Sequence, residues 1–380
     1  MMTIVKRSIK ILCLLLTIVL LTNCCMIFFN NYDYNSIISR GFYLEPKDSL
    51  DVIFLGASDV FTGFSSAYAY EQFGFTSYPY AFDANSSQML LSQLREVLTR
   101  QNPQMIVIEI NAFLYNPPTP ERDEARFRKY LDNIPFSMNK VRSIKEFVSE
   151  DEQMFYLFPL AKYHENWKAT FTQIGKVKDN LAIRSQGYSL LKGTVTNLSR
   201  WNGNDIRNVN NDYSTCPLDP QLEEILVAFL EFCKTNQLDN ILFVRFPHAI
   251  CTDWTYERFQ KCNEAERIIK SYGFDFINLE RDNGNIGLDY SGDFYNEDHV
   301  YLTGQKKITE YFGKVLVESY GLTPRIQTSE NKTIWNTSAL YYQLFYDYCE
   351  EARNNGNEGV RYETRGVMAQ LNDMYNMNNQ

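Results

Sequence analysis

The feature that most narrows the fold is a set of short apolar runs, each closed by turn residues and separated by stretches of helical spacing. The first, "DVIFL" (Asp51 to Leu55), ends at Gly56. The pattern returns at "TSYPYAF" (Thr76 to Phe82), "QMIVIEI" (Gln104 to Ile110), "NILFVRF" (Asn240 to Phe246) and, more weakly, "FDFINL" (Phe274 to Leu279). Continuous apolar runs of this length mark strands buried on both faces of a parallel sheet. Between them, "SSQMLLSQLREVLTRQ" reads as a helix capped by Ser86 or Ser87, and "LDPQLEEILVAFLEFCKTNQ" as one with Pro220 in its first turn. "TYERFQKCNEAERIIKSYG" reads as a helix stopped by Gly273, and "TGQKKITEYFGKVLVESYG" as one running from a Thr303 cap to Gly321. The alternation predicts an α/β fold with a doubly wound, mostly parallel five-stranded sheet. In such sheets chemistry collects beyond the carboxyl ends of the strands.

The alternation fails between residues 114 and 219, where "ERDEARFRKYLDNIP" and "NKVRSIKEFVSEDEQMF" read as helices and no strand run is convincing. The expected layout is therefore an N-terminal apolar segment (1–30), the first part of the α/β domain (31–113), a mainly helical insertion (114–219), the second part of the domain (220–322) and a C-terminal extension (323–380). The extension contains "TSALYYQLFYDYCEEARN", a helix whose aromatic stripe suits packing, and ends in "MYNMNNQ", expected to be poorly ordered.

Lys6, Arg7 and Lys10 precede "ILCLLLTIVLLTNCCMIFF", an uncharged stretch from Ile11 to Phe29 long enough to cross a bilayer as a helix. Positive charge before it places the N-terminus in the cytoplasm and the remainder outside, a single-pass signal anchor in the cell membrane. A cleaved signal peptide is the rival, but no small-x-small site follows. A lipoprotein is a weaker one, because Asn23 stands where a small residue should precede Cys24. The net charge of −9, with no basic cluster beyond the extreme N-terminus, argues against nucleic acid as a partner. Of eight cysteines, three fall in the apolar segment and the other five are scattered, unlike a disulfide framework or a zinc site. They read as small buried side chains, with room for one disulfide. No metal or cofactor is called for, and oligomeric state is left open.

Ser58 follows the first strand in "FLGASD", where a tight turn would lift its hydroxyl above the sheet beside helix-start N–H groups. The plainer role for a serine there is a helix cap. A serine nucleophile needs a general base, and the chain has only His164, His248 and His299. His164 lies in the insertion. His248 follows the fourth strand and His299 the fifth, so both belong to the active edge.

"DVIFLGASDVF" and "DFYNEDHVYLTGQKKI" together resemble the first and last blocks of the SGNH/GDSL hydrolase superfamily. The nearest likeness is to its membrane-anchored bacterial branch, related to teichoic-acid D-alanylation and to alginate and peptidoglycan O-acetylation proteins. The resemblance covers roughly residues 50–115 and 238–320. It implies the SGNH fold, Ser58 as nucleophile and His299 as base. Asn111, in "IEINAF", matches the family asparagine that donates to the oxyanion; its plainer role is that of a turn asparagine. The family glycine after the second strand has no counterpart in "FDANSSQ", where the backbone N–H of Ala84 or Asn85 would substitute. The family aspartate three residues before the histidine is here Asn296. An aspartate there holds the imidazole tautomer and stabilises the imidazolium. Three outcomes stay open: Asp293 or Asp298 supplies the carboxylate, a Ser58–His299 dyad works with Asn296 or a backbone carbonyl as orienter, or catalysis is lost and binding kept. The leading expectation is an extracytoplasmic, membrane-anchored serine esterase or O-acyltransferase acting on a cell-envelope polymer. The alternative is a catalytically impaired envelope protein that binds a glycan or an assembly partner, with Asp83 and the aromatic-rich insertion contributing.

Overall fold

The computed structural model describes residues 2–29, 32–163, 166, 168 and 174–378. His164, one of the histidines considered above, lies outside them. The central sheet has five strands, all parallel: β1 (Val52–Leu55), β2 (Ser77–Pro79), β3 (Met105–Glu109), β4 (Ile241–Arg245) and β5 (Asp275–Asn278), each shorter by one or more residues than its apolar run. Their order across the sheet is β2-β1-β3-β4-β5. The chain winds outward from β1 to β2 and then crosses to β3 on the other side. That reversal opens a crevice at the carboxyl ends of β1 and β3.

Period-two alternation divides the apolar side chains between two helical layers. Phe54 shares its register level with Val107 and Leu242, and its ring lies 4.4 Å from Phe64 and 6.2 Å from Phe312. Phe243, one residue further along β4, turns to the opposite face and meets Phe229 at 6.2 Å. Phe312 belongs to the helix Leu302–Glu318 and Phe229 to Pro220–Thr235. The sheet is thus covered on both faces, as its unalternating strands require.

The helices start much as the sequence suggests. Asp219 caps Pro220–Thr235 by accepting from the Gln221 N–H, with Pro220 in the first turn. Ser86 is the cap residue of Ser87–Arg100, though its hydroxyl makes no capping bond. The last sheet helix begins one residue before the expected Thr303, with Tyr301 at the cap position. The segment 114–219 contains the helices Pro120–Leu131, Met138–Phe147, Gln153–Leu157, Pro159–Tyr163 and Ile174–Ser185. It also holds a two-residue strand, Thr196–Asn197, that pairs with Val360–Arg361 of the extension, a pairing too short to read from sequence. The extension carries the 26-residue helix Ser329–Asn354, with Trp335, Tyr342 and Phe345 buried along its stripe. Order persists further than expected at the C-terminus: Arg365–Asn378 is a helix, and buried Leu371 and a Tyr375–Tyr341 ring pair hold it to the preceding one. All eight cysteines are free, with Cys233, Cys262 and Cys349 buried.

At the other end, Met2–Phe29 is a single helix whose residues 5–29, at mean hydropathy 2.7, are long and apolar enough to cross a membrane. Its residues from Val5 to Leu21 are exposed.

Candidate active site

Gly56 ends β1 at a point where the chain passes too close to its neighbours for any side chain. A Cβ there would meet Glu109 Cβ at 2.7 Å and Val60 Cγ2 at 2.8 Å. The sharp turn this permits puts Ser58 at the first position of the short helix Ser58–Gly63, above the crevice between β1 and β3. His299 arrives from the far end of the sequence, on a hairpin in which Phe294–Asn296 pairs with His299–Val300. Its Nε2 lies 2.8 Å from Ser58 Oγ. The two expected principals meet.

The imidazole is oriented by Asn296. Its Oδ1 lies 3.0 Å from His299 Nδ1 and also accepts the Asp298 N–H at 3.0 Å. Two donors converging on one atom identify it as the amide oxygen, so Nδ1 carries the proton and the Nε2 lone pair faces the serine hydroxyl. The Tyr295 ring lies parallel to the imidazole, with centroids 5.3 Å apart. Burial pulls the His299 pKa below its ordinary value despite the opposing charge of Asp59, which favours the neutral form a base requires.

Neither carboxylate suggested for the ring stands behind it. Asp293 is buried, and its Oδ2 accepts from Lys307 Nζ at 2.7 Å and from the Asp289 N–H at 2.7 Å. Asp298 is paired with Arg258, whose guanidinium also lies over Tyr115 and Trp254. A hairpin of alternating direction sends adjacent side chains to opposite sides, which is why Asp298 turns away from His299.

Asn111 begins the turn after β3 and lines the cleft with Ser58 and His299. Its Nδ2 donates to Asp59 Oδ2 at 2.8 Å and reaches Tyr115 Oη only at 3.4 Å, while its Oδ1 accepts from Arg245. One amide hydrogen is therefore committed to Asp59 and the other only weakly held. Asn85 does not serve as the oxyanion donor proposed for it: its N–H goes to Phe82 O at 3.2 Å, and its side chain ties the loop to Gly56 O at 3.0 Å and to Gln93 at 3.0 Å. The other N–H considered in this loop is that of Ala84, which lines the cleft.

Ala84 itself has φ +49°, the left-handed region that favours glycine. The position where the resemblance expects glycine thus keeps glycine-like backbone geometry without the residue. Ala84→Gly is expected to raise stability by roughly 0.5–1 kcal/mol, measured by chemical denaturation, because relief of the Cβ strain exceeds glycine's extra entropy cost.

Beneath the serine lies a cluster that sequence reading did not assemble. Asp59 accepts from His248 Nε2 at 2.7 Å, and His248 Nδ1 lies 2.8 Å from Phe246 O and 3.0 Å from Glu280 Oε1. Arg245 Nε donates to Glu280 at 2.9 Å, and its other arm lies 3.5 Å from Glu109. All five are buried. Burial alone would raise the Asp59 carboxyl, but the His248 contact outweighs it and holds Asp59 well below the usual carboxylate range. His248 moves upward in turn: burial and Arg245 oppose its charge, and Asp59 overcomes both. Glu109 is pushed up to about 8 by burial and the Asp59 charge, against the pull of Arg245. His248 thus has a carboxylate at each ring nitrogen, and the charge of Asp59 disfavours a further anion at Glu109. His248 therefore belongs to the support of the site and not to its reactive face. Its signal in the sequence is a charge at the carboxyl end of an apolar run: Glu109 in "IVIE", Arg245 in "FVRF".

The cleft above these groups has a volume of about 200 Å³, and Ala57, Ser58, Ala84, Asn111, Tyr115 and His299 are among the residues lining it. No family model matches the chain, and no curated protein is detectably similar to it.

Proposed function

We propose that this protein is a membrane-anchored, extracytoplasmic serine esterase or O-acyltransferase of the SGNH/GDSL type, acting on an acyl ester of a cell-envelope polymer. The observation that carries the reading is the 2.8 Å contact between Ser58 Oγ and His299 Nε2, with Nδ1 held by Asn296. In the first step Ser58 Oγ attacks the acyl carbonyl while its proton passes to His299 Nε2. The N–H of Ser58 and the Asn111 amide, with the Ala84 N–H opposite, face the developing oxyanion. Collapse of the tetrahedral species breaks the ester C–O bond, and His299 returns the proton to the departing alkoxide. Water or a sugar hydroxyl then gives its proton to the same imidazole and attacks the acyl-serine; the acyl–Oγ bond breaks, the acid or the new ester leaves, and His299 returns the proton to Ser58 Oγ. Asn296 stabilises the imidazolium by a neutral hydrogen bond only.

That neutral orienter is also the observation that favours a second reading, a cleft that holds an envelope glycan or partner without turning it over. A serine-reactive fluorophosphonate probe separates the two. Labelling at Ser58 supports the enzyme, and folded protein that stays unlabelled favours the binder.

Asn296→Asp gives a further test. A charged acceptor strengthens a hydrogen bond by about 1–2 kcal/mol over a neutral one, so kcat is expected to rise roughly 10-fold. The acid limb of the rate profile should move to higher pH at the same time, since the carboxylate favours the protonated imidazole and the working base is the neutral one. In the natural protein, burial of His299 sets that limb below the ordinary histidine value. An unchanged limb would show that Asn296 is not the orienter.

A further inference from the structure

We propose that the helices Pro159–Tyr163 and Ile174–Ser185 form a collar seated in the headgroup layer of the bilayer, at the end where the N-terminal helix emerges. The inference needs that helix to cross the membrane but not the chemistry assigned to Ser58. Both collar helices pack against the N-terminal helix. At its C-terminal end Asn180 Nδ2, from the second collar helix, donates to Ile27 O at 2.8 Å, and Asn166 Nδ2, from between the two, to Phe29 O at 2.9 Å. These bonds satisfy carbonyls of the last helical turn, which otherwise have no intrahelical donor. From Val5 to Leu21 the residues are exposed, whereas Thr22, Cys25, Met26, Ile27 and Phe29 are partly covered.

Length then decides the depth of the collar. A bilayer core of about 30 Å needs about 20 apolar residues in a helix. Between Lys10 and the first covered residue only Ile11 to Leu21 are available, a rise of about 16 Å at 1.5 Å per residue. A helix that crosses must therefore use its covered turns as well, which brings the surrounding collar down to the lipid. The collar's surface fits that position. Phe158, which leads into the first collar helix, and Met154, one turn before it in the helix Gln153–Leu157, are each 58% exposed; on the collar helices themselves Leu181 is 49% exposed and Lys162, Lys176 and Lys178 are exposed. Residues 159–185 carry five Lys and Arg against two Asp and Glu, in a chain of net charge −9. Apolar side chains interleaved with lysines are the chemistry of a segment lying in the interface of an anionic bilayer. The same insertion contributes Tyr115, Asn116, Pro118 and Arg126 to the cleft wall, so the seat would set the height of that cleft above the lipid.

The test uses the full chain reconstituted in phosphatidylcholine–phosphatidylglycerol vesicles, with Cys13, Cys24, Cys25, Cys216 and Cys251 replaced by serine or alanine. Single cysteines introduced as Phe158→Cys, Leu181→Cys, Ile18→Cys and Tyr213→Cys are labelled with bimane, and circular dichroism checks the fold of each. Nitroxide lipids then quench the label, carrying the spin label near the headgroup or at the bilayer centre. The collar predicts about twofold or greater quenching at 158 and 181 by the headgroup-proximal nitroxide, with 213 unaffected and 18 quenched by the central one. Quenching at 18 with none at 158 and 181 overturns the collar and leaves the anchor standing. No quenching at 18 removes both. Shielding of 158 and 181 that depends on protein concentration and not on the nitroxide would assign the surface to a second copy and also overturn the proposal.

Discussion

Ser58→Ala is expected to lower kcat for a short-chain acetyl ester by about 10⁴-fold or more, as loss of the nucleophile does in serine hydrolases. The assay is release of p-nitrophenol from p-nitrophenyl acetate by the purified protein. His299→Ala should fall to a similar level. The double variant should be little worse than either, because one proton transfer joins the two groups and cannot be lost twice. What survives would come from the oxyanion donors and from binding. Unchanged turnover in the alanine variant would remove Ser58 from the mechanism, and a fully additive double variant would mean that the two side chains act separately.

Arg245→Met should destabilise the fold by about 3–5 kcal/mol, the cost of leaving a buried charge without its partner. Glu280 would keep His248 but lose its guanidinium, and Asn111 Oδ1 would lose the donor that now clamps it. Thermal unfolding of the detergent-solubilised chain measures the change. The control is Arg245→Met combined with Glu280→Met. Removing both partners of a buried pair is far milder than removing one, so the double variant should recover part of the loss. A single variant as stable as the parent would show that the cluster is not held by this pair. If stability falls while the Ser58–His299 reaction proceeds in the folded fraction, the cluster supports the crevice without positioning the reacting groups.

The sheet was legible because each of its strands is a solid apolar run, and strands buried on both faces must be so. Ser58 and His299 could be paired for a related reason. Both sit directly past elements that the pattern locates, and histidine is too scarce in this chain to offer many rivals. The orienter was harder. Whether Asp293, Asn296 or Asp298 faces the imidazole depends on which side of a tight hairpin each side chain leaves, and a bulge between Phe294 and Asn296 offsets simple alternation there. The Asn85 backbone N–H, expected to face the oxyanion, instead closes a local turn onto Phe82 O at 3.2 Å, and a turn bond of that kind leaves no mark in the sequence. The ionic cluster under the serine draws on four separate segments, from Asp59 to Glu280, so no local window contains it. Pairings between distant segments, such as Thr196–Asn197 with Val360–Arg361, leave no periodic trace at all.

The hairpin that carries His299 is braced from the far end of the chain. Arg353, in the helix Ser329–Asn354, donates to Gly292 O at 3.3 Å and to Phe294 O at 3.5 Å, and its guanidinium stacks 3.7 Å over the Tyr301 ring. A polypeptide emerging from the ribosome would complete all five strands well before residue 353 appears. Until then the loop bearing the imidazole lacks its brace, so a prematurely terminated product would own the five strands, the serine and the histidine without the contacts that hold the hairpin. The bracing of that hairpin is one of the last things synthesis delivers.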